Sequence, residues 1–268
     1  MGLFRFKGAN VRGWLQTLAT QRVTAVKPGR CAYTHFMDDD GHIIDDMIFA
    51  VTSDDEILGV PNASMIAVMH QWFSDRLPED GSVTLEDISD ETAILALQGP
   101  RAKDVLVAVL GEGAHVGRFR WSPLDGAALG ISGFIQGTGY TGEAGYEILV
   151  PNGDAAPLWR ALIEAGATPV GLGARDTLRM EMGFCLYGND IDDTTSPISA
   201  GLGWITKFTK DFIDRERLEA EKQRGAQQRL VGLVMDERGI PRQGYAVCTA
   251  DGTQIGRVTS GTMSPSLG

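Results

Sequence analysis

Residues 31–51, CAYTHFMDDDGHIIDDMIFAV, contain two apolar runs joined by an acidic turn, and they indicate the fold class. The runs, Cys31–Met37 and Ile43–Val51, are rich in apolar and aromatic residues and flank the Asp-Gly pair of Asp40 and Gly41. An Asp-Gly pair between two such runs is typical of a β-hairpin. The sequence therefore predicts an antiparallel strand pair here.

Outward from this hairpin, strands and helices come in alternating groups and end in a β-rich stretch. Further strands are predicted for the opening residues and for Glu56–Val60, Val83–Ile88, Ala93–Gln98, a hairpin over Gly126–Val150, Leu230–Met235, Gly244–Thr249 and Gln254–Ser260. Helices are predicted after Asn10, after Asn62, and at Pro100–Leu110, Ala155–Ala165 and Gly173–Phe184. This order predicts an α+β fold, with an α+β region over residues 1–227 and a β-rich module over 228–268.

Composition excludes several classes of protein. The 268 residues include 24 Lys and Arg against 35 Asp and Glu, a formal net charge of −11, and 43% are hydrophobic. So many apolar residues argue against a disordered chain, and the acidic balance argues against nucleic-acid binding, which needs Lys and Arg to displace counterions. Because no run of 18 apolar residues occurs, we expect no membrane-spanning segment.

The metal-binding and redox residue types are sparse and scattered. The three cysteines form no CxxC pair, and the four histidines have no spacing that suggests a metal site. If Gly41 were the sixth residue of an EF-hand loop, Met47 would stand where the bidentate Glu belongs. We therefore expect no metal, and reduced thiols typical of an intracellular protein.

The string GTGYTG, residues 137–142, matches the GxGxxG pattern of dinucleotide-binding folds. That site also requires a helix directly after the glycines, to receive the pyrophosphate at its N-terminus. Residues 143–150, EAGYEILV, instead alternate as a strand. The string is therefore predicted to be the turn of a glycine-rich hairpin.

Asp45 and Asp46 lie inside the otherwise apolar strand Ile43–Val51. Since neighbouring strand residues point to opposite faces, Asp46 shares a face with Ile44 and Ile48, and Asp45 lies on the other. Composition alone slightly favours a structural role for the two aspartates, either as charges on an edge strand or as buried carboxyl groups whose hydrogen bonds are satisfied. The alternative is a partly desolvated carboxylate in a pocket, available for acid–base chemistry or for stabilising a cation.

A second constellation follows in GLGARDTLRME, residues 171–181. On a helix, Arg175 and Arg179 lie four residues apart on one face, with Asp176 three residues before Arg179. One interpretation is an ion-paired surface helix. The other is an arginine at a helix N-terminus that binds an anionic ligand bidentately. The turn-rich loop Cys185–Asp193 after it has no assigned role from physics alone.

Taken together, five strings resemble one family, the T-protein or aminomethyltransferase family of the glycine cleavage system. They are LQGP at Leu97–Pro100, GYTGEAGYE at Gly139–Glu147, GLGARDTLRMEMGFCLYGNDID at Gly171–Asp192, SPISAGLGW at Ser196–Trp204 and TSGTMSPSLG at Thr259–Gly268. Their order and spacing agree with the family, and the resemblance covers essentially the whole chain. It implies a cloverleaf of two α+β lobes and a C-terminal β-barrel module.

The resemblance also implies a reaction. Members of the family move the methylene carbon of an aminomethyl group from the lipoylated H-protein, a transient partner, to tetrahydrofolate, and ammonia is released. Tetrahydrofolate is a substrate there, and no metal takes part. By matching position, Asp46 is the expected catalytic carboxylate, and Tyr33, Glu147 and Arg175 are the expected folate-binding residues.

Two departures and two alternatives accompany this resemblance. Gly41-His42 replaces a common Gly-Gly, and the family's amino-terminal stretch and last barrel segment, with a further folate-contacting arginine, are missing from the sequence, which suggests a fragment. One alternative is a folate-dependent demethylase with a different donor. The other is a folate-binding maintenance protein for iron–sulfur enzymes, disfavoured because its Lys-Gly-Cys-Tyr string is absent. The expected location is the bacterial cytoplasm, or the mitochondrial matrix if the source is eukaryotic.

Overall fold

The predicted hairpin forms the edge of a five-stranded sheet in the computed structural model, which describes residues 1–125 and 128–266. Its strands are β2 (Arg30–Met37) and β3 (Ile43–Val51). They pair antiparallel from Arg30 opposite Val51 to Met37 opposite Ile43, with an irregular register between Phe36 and Met37.

The spatial order of the strands in this first sheet differs from their order along the chain. Its members are β1 (Phe4–Lys7), β2, β3, β4 (Glu56–Val60) and β5 (Thr84–Asp87), in the spatial order β2-β3-β4-β1-β5 with every neighbouring pair antiparallel. The first strand of the chain therefore lies between the fourth and the fifth. On its other side, β3 is bordered by β4, which pairs with the later half of β3, from Ile48 to Val51.

The first hydrophobic core lies between this sheet and two helices, α1 (Val11–Leu18) and α2 (Ile66–Ser74). The buried positions of α1 are spaced three and four residues apart, as an amphipathic helix requires. Phe73 of α2 is at the centre of an aromatic cluster with Phe4, Phe6, Trp14, Phe36 and Trp72. Truncation of a buried Phe to Ala in such a cluster costs about 3–5 kcal/mol of stability.

A second, four-stranded sheet carries the next core. It contains β6 (Thr92–Gln98), β7 (Trp121–Pro123), β8 (Phe134–Gln136) and β9 (Gly145–Pro151), in the order β6-β9-β8-β7, and it packs against α3 (Ala102–Leu110) and α4 (Asn152–Glu164). β8 and β9 form the predicted glycine-rich hairpin. Gly126, where that prediction begins, is outside the described residues, as are Leu267 and Gly268 of the last family-like string.

Two of the hairpin glycines are required by close approach. A Cβ atom on Gly139 would lie 1.9 Å from Oε1 of Gln98, and one on Gly145 would lie 2.6 Å from the carbonyl oxygen of Leu97. Gln98 Nε2 in turn donates to the carbonyls of Thr138 and Tyr146, at 3.1 Å each. The glycines thus let the end of β6 support the hairpin, and strand β9 follows them where a dinucleotide-binding site would need a helix.

Helices α5 (Leu172–Glu181) and α6 (Arg215–Arg224) follow the second sheet. Between them, residues 185–213 pack as irregular chain against the first hairpin, where Met37 and Ile43 contribute to a third core with Ile191, Leu202 and Ile205. This segment therefore joins the α5 region to the hairpin whose second strand, β3, carries both aspartates.

Up to residue 266, the C-terminal module contains one antiparallel strand pair, β10 (Ala246–Cys248) and β11 (Gln254–Arg257). The prediction of a strand over Leu230–Met235 is wrong, since those residues are irregular. Their apolar side chains are exposed, with Val234 at 77%. A strand needs a neighbour to satisfy its backbone groups, and none of the described residues supplies a hydrogen-bonded strand beside this segment.

Candidate functional site

A cavity of about 1570 Å³ lies where β2, β3, the β8–β9 hairpin, α5 and residues 183–187 meet. It is lined by all four residues that the sequence predicts as site residues: Tyr33, Asp46, Glu147 and Arg175. They come from four separate elements, so only the tertiary fold brings them to one cavity.

Asp46 is held by two donors through different oxygens. The Tyr33 hydroxyl donates to Oδ2 at 2.7 Å, and Nδ2 of Asn62 donates to Oδ1 at 2.9 Å. Burial raises the pKa of Asp46, although both hydrogen bonds act to lower it. The same burial, together with the nearby carboxylate, raises the pKa of Tyr33 well above its usual range, so Tyr33 remains a donor.

Asp45 lies on the other face of β3 and is completely buried. Its two oxygens accept from Asn62, at 2.7 Å from the side-chain Nδ2 and 3.2 Å from the backbone N–H. Burial is the main cause that raises the pKa of Asp45 to about 7, and the charge of Asp46 adds to it. Asp45 is therefore a buried carboxyl whose oxygens are hydrogen-bonded, whereas Asp46 lines the cavity, and the acid–base role of Asp46 stays a prediction.

Glu147 belongs to β9 and is fixed by side chains of the adjacent hairpin strand and turn. Its Oε2 accepts from Nε2 of Gln136 at 3.1 Å and from the hydroxyl of Thr138. Behind them, the buried thiol of Cys31 lies 3.8 Å from Oε1 of Gln136. Burial, with a smaller contribution from Glu147, raises the pKa of that thiol to about 12, so Cys31 is a neutral packing group.

The two arginines of α5 have different surroundings. The guanidinium of Arg175 lies 4.4 Å from the centre of the Tyr140 ring and makes no ion pair within the described residues. Arg179 is 2% exposed and pairs with Asp176 at 2.8 Å and Asp190 at 2.5 Å. The ion-paired interpretation therefore applies to Arg179, which is buried, while Arg175 faces the cavity with its donors available.

Asp190 extends the Arg179 pair to the C-terminal module. Its Oδ1 accepts from the hydroxyls of Thr259 and Ser260, and Ser260 also accepts from Arg179 at 2.8 Å. Oδ2 of Asp190 accepts from the backbone N–H of Leu186 at 3.0 Å. The loop after α5 thereby has a structural role, as the link between the cavity wall and residues 259–260.

Sequence reasoning missed some residues that shape the site. Asn62 was expected only before a helix, and Tyr140 only as part of a motif. Outside the cavity, the ammonium of Lys210 donates to the carbonyls of Gln16, at 2.6 Å, and Ala19, and burial lowers its pKa to about 8. None of these contacts has a signal in local sequence, because each partner is distant along the chain.

Comparison with known proteins identifies the family. Residues 1–210 match the model of the GCVT N-terminal domain, and residues 228–268 match the glycine cleavage T-protein C-terminal barrel domain. The chain belongs to the aminomethyltransferase family. It is therefore an enzyme of the transferase class, related to the T-protein of the glycine cleavage system, with an α+β fold and part of the C-terminal barrel domain.

Curated relatives share this assignment over nearly the whole chain. An aminomethyltransferase of Bacteroides fragilis is 45% identical over 99% of this chain and 74% of its own length. One of Flavobacterium psychrophilum is 41% identical over 100% of this chain and 75% of its own length. Among solved structures, the glycine cleavage system aminomethyltransferase T of Bartonella henselae matches with a TM-score of 0.89 and 29% identity, over 99% of this chain and 73% of that one.

Two further features of the described residues concern metals and membranes. Within residues 1–125 and 128–266, no group of three or more His, Cys, Asp and Glu side chains is placed to hold a metal ion. The expectation that no metal takes part stays a prediction. In the same part of the chain, no helix is both long and apolar enough to cross a membrane.

Proposed function

We propose that this chain transfers the methylene carbon of an aminomethyl group, carried on the dihydrolipoyl sulfur of an H-protein, to tetrahydrofolate, with release of ammonia. Family membership supports the reaction class. The observation that carries the proposal is the placement of Asp46: a half-buried carboxyl group, held by Tyr33 and Asn62, in the wall of the large cavity.

The size of the cavity supports two occupants. Pockets for one drug-sized ligand usually have volumes of about 300–1,000 Å³. The cavity of about 1570 Å³ exceeds that range. It leaves room for tetrahydrofolate together with the end of a lipoyl arm from a carrier protein. This is why a transient lipoylated partner belongs to the proposal.

The proposed reaction is balanced without a redox partner. The methylene carbon loses its bonds to sulfur and to the amine nitrogen, and gains bonds to N5 and N10 of tetrahydrofolate. The protons of N5 and N10 leave with the thiol and the ammonia. Positive, iminium-like charge develops on the carbon during the transfer, and a fixed carboxylate such as Asp46 stabilises that charge and can relay a proton.

The other predicted residues suit the two ends of folate. Glu147 offers carboxylate oxygens, which accept hydrogen bonds from the N–H groups of a pterin ring. Arg175, beside Tyr140 and without an ion pair, suits the carboxylates of the glutamate tail. Tyr33 lines the cavity and donates to Asp46. We place the reaction in the bacterial cytoplasm rather than the mitochondrial matrix, because the relatives above come from bacteria.

The test is an assay of ammonia release that depends on tetrahydrofolate, with aminomethylated lipoyl H-protein as donor. We expect the wild-type gene product to be active and Asp46→Asn to be slower by about 10²–10⁴-fold, the range for loss of a proton-transfer group. Tetrahydrofolate affinity, measured by calorimetry, should change little, since the amide keeps the shape. A wild type that binds tetrahydrofolate but releases no ammonia would instead favour the demethylase alternative.

A further inference from the structure

One amide bridges the two aspartates from the edge of the sheet. Nδ2 of Asn62 lies 2.7 Å from Oδ1 of Asp45, 2.9 Å from Oδ1 of Asp46 and 3.2 Å from the backbone carbonyl of Asp46. This contact is possible because β4 ends at Val60, opposite Ile48, so the earlier half of β3 has no β4 neighbour. Asn62 occupies that edge, from which it reaches both faces of the strand.

The donors of Asn62 fix its orientation. An asparagine amide has two N–H groups, and here they are directed to one carboxylate on each face of β3. Asp45 also accepts the backbone N–H of Asn62 at 3.2 Å, so it holds this residue at two points. If Asp45 were replaced, the amide would keep its bonds to Asp46 but lose the anchor that orients it.

We propose that Asp45, which does not face the cavity, is a positioning residue that orients Asp46 through Asn62 and shares a coupled titration with it. The kinetic part of this inference rests on the proposed function. The titration part is independent of that function, because it follows from two carboxyl groups that are held by one amide.

The titratable groups around the two aspartates have pKa values that are shifted away from neutral pH. Burial raises the pKa of each nearby hydroxyl and thiol, and it lowers the pKa of the histidine opposite Asp46 to about 3, so that histidine is uncharged at neutral pH. These neighbours are Tyr33, Tyr140, Cys185, Tyr187 and His35. A titration near pH 7 at this site therefore belongs to the aspartate pair.

The first experiment measures the carboxyl groups directly. Protein labelled with ¹³C at the Asp side-chain carboxyl is titrated by NMR, and signals are assigned with Asp45→Asn and Asp46→Asn. We expect a wild-type midpoint near 7 that Asp45→Asn abolishes. In Asp46→Asn the midpoint should move down, because the neighbouring negative charge is gone. An unmoved midpoint would overturn the coupling, whatever the activity of the protein.

The second experiment separates positioning from folding. In Asp45→Asn we expect kcat to fall about tenfold, tetrahydrofolate affinity to stay within about threefold, and the step near pH 7 in the kcat profile to vanish. Asn62→Ser keeps both carboxyl groups and removes the bridge, so it should lower kcat similarly. The positioning role is refuted if Asn62→Ser retains wild-type kcat, or if Asp45→Asn loses activity only in proportion to the unfolded fraction with its pH profile unmoved.

Discussion

At the scale of single residues, Tyr33 is the donor whose removal tests the state of Asp46 most directly. Its hydroxyl bond to Asp46 lowers the pKa of that carboxyl, against the larger effect of burial. In Tyr33→Phe we therefore expect the pKa of Asp46 to rise. If Asp46 acts as a carboxylate, the acid limb of the kcat/KM profile should move to higher pH, and kcat should fall about tenfold.

The matched control is Tyr187→Phe, because Tyr187 also lines the cavity but its hydroxyl is not bonded to Asp46. The acid limb should stay in place in this variant. Equal shifts in both variants would mean that loss of any cavity hydroxyl has this effect, and would contradict the specific role of Tyr33.

Residue chemistry in the site was only partly predictable from sequence. The period of two in a strand places Asp45 and Asp46 on opposite faces, but it does not say which face borders a cavity. The structure adds the cavity and the bridging Asn62. Asn62 lies 16 residues beyond Asp46, across the edge of a sheet, and a contact of that kind leaves no periodic signal in sequence.

At the scale of elements, helix α5 separates a ligand-facing arginine from a structural one. Arg175→Ala should weaken tetrahydrofolate binding by about tenfold to a hundredfold and leave stability nearly unchanged. Arg179→Ala should cost about 3–5 kcal/mol of unfolding free energy, because Asp190 would stay buried without its partner. Calorimetric titration measures the first effect and urea unfolding the second.

The pair of variants also contains its own control, since the two arginines lie one turn apart on the same helix. Loss of stability in Arg175→Ala, or a tetrahydrofolate defect in a still-folded Arg179→Ala, would reverse the roles assigned here. Arg175→Lys should recover only part of the affinity, because lysine cannot form two parallel hydrogen bonds with a carboxylate.

Elements with an apolar period were predicted well, and those without one were not. The strand Ile43–Val51 has the bounds that its sequence predicts. Helix α6, RERLEAEKQR, was missed because it is charged nearly all around and buries only Leu218. The opposite error occurred at Leu230–Met235, where strand-forming residues lack a neighbouring strand. Propensity specifies what a segment can form, and pairing decides what it does form.

At the scale of the whole molecule, the order of the first sheet and the assembly of the cavity were beyond sequence reasoning. β1 pairs with β4 and β5, some fifty and eighty residues away, and no local pattern encodes that choice. The motifs that resemble the family indicated the cloverleaf and its four site residues, which local periodicity does not. The domain boundary near residue 228 and the folate-binding roles stay predictions.

Two buried groups give the whole molecule opposing responses to pH. The pKa of Asp45 is raised from 3.8 to about 7, so the folded state holds a proton that the unfolded chain releases between these values. That stability is present at low pH and is lost as pH rises toward 7. The pKa of His35 is lowered from 6.5 to about 3, so its contribution is lost as pH falls below 6.5. Between about pH 4 and 6.5 the two slopes offset each other.

Asp45→Asn should therefore expose the slope of His35. Each uncompensated proton changes the unfolding free energy by about 1.36 kcal/mol per pH unit. The quantity to compare is the rise in unfolding free energy from pH 4.5 to pH 6.5, measured by urea unfolding. This rise should be larger in Asp45→Asn than in wild type by up to about 2.7 kcal/mol. His35→Gln should show the opposite change, and the carboxyl groups other than Asp46, which is coupled to Asp45, cancel because every variant shares them. If Asp45→Asn leaves the difference between the two pH values as it is in wild type, Asp45 does not retain its proton in the folded state.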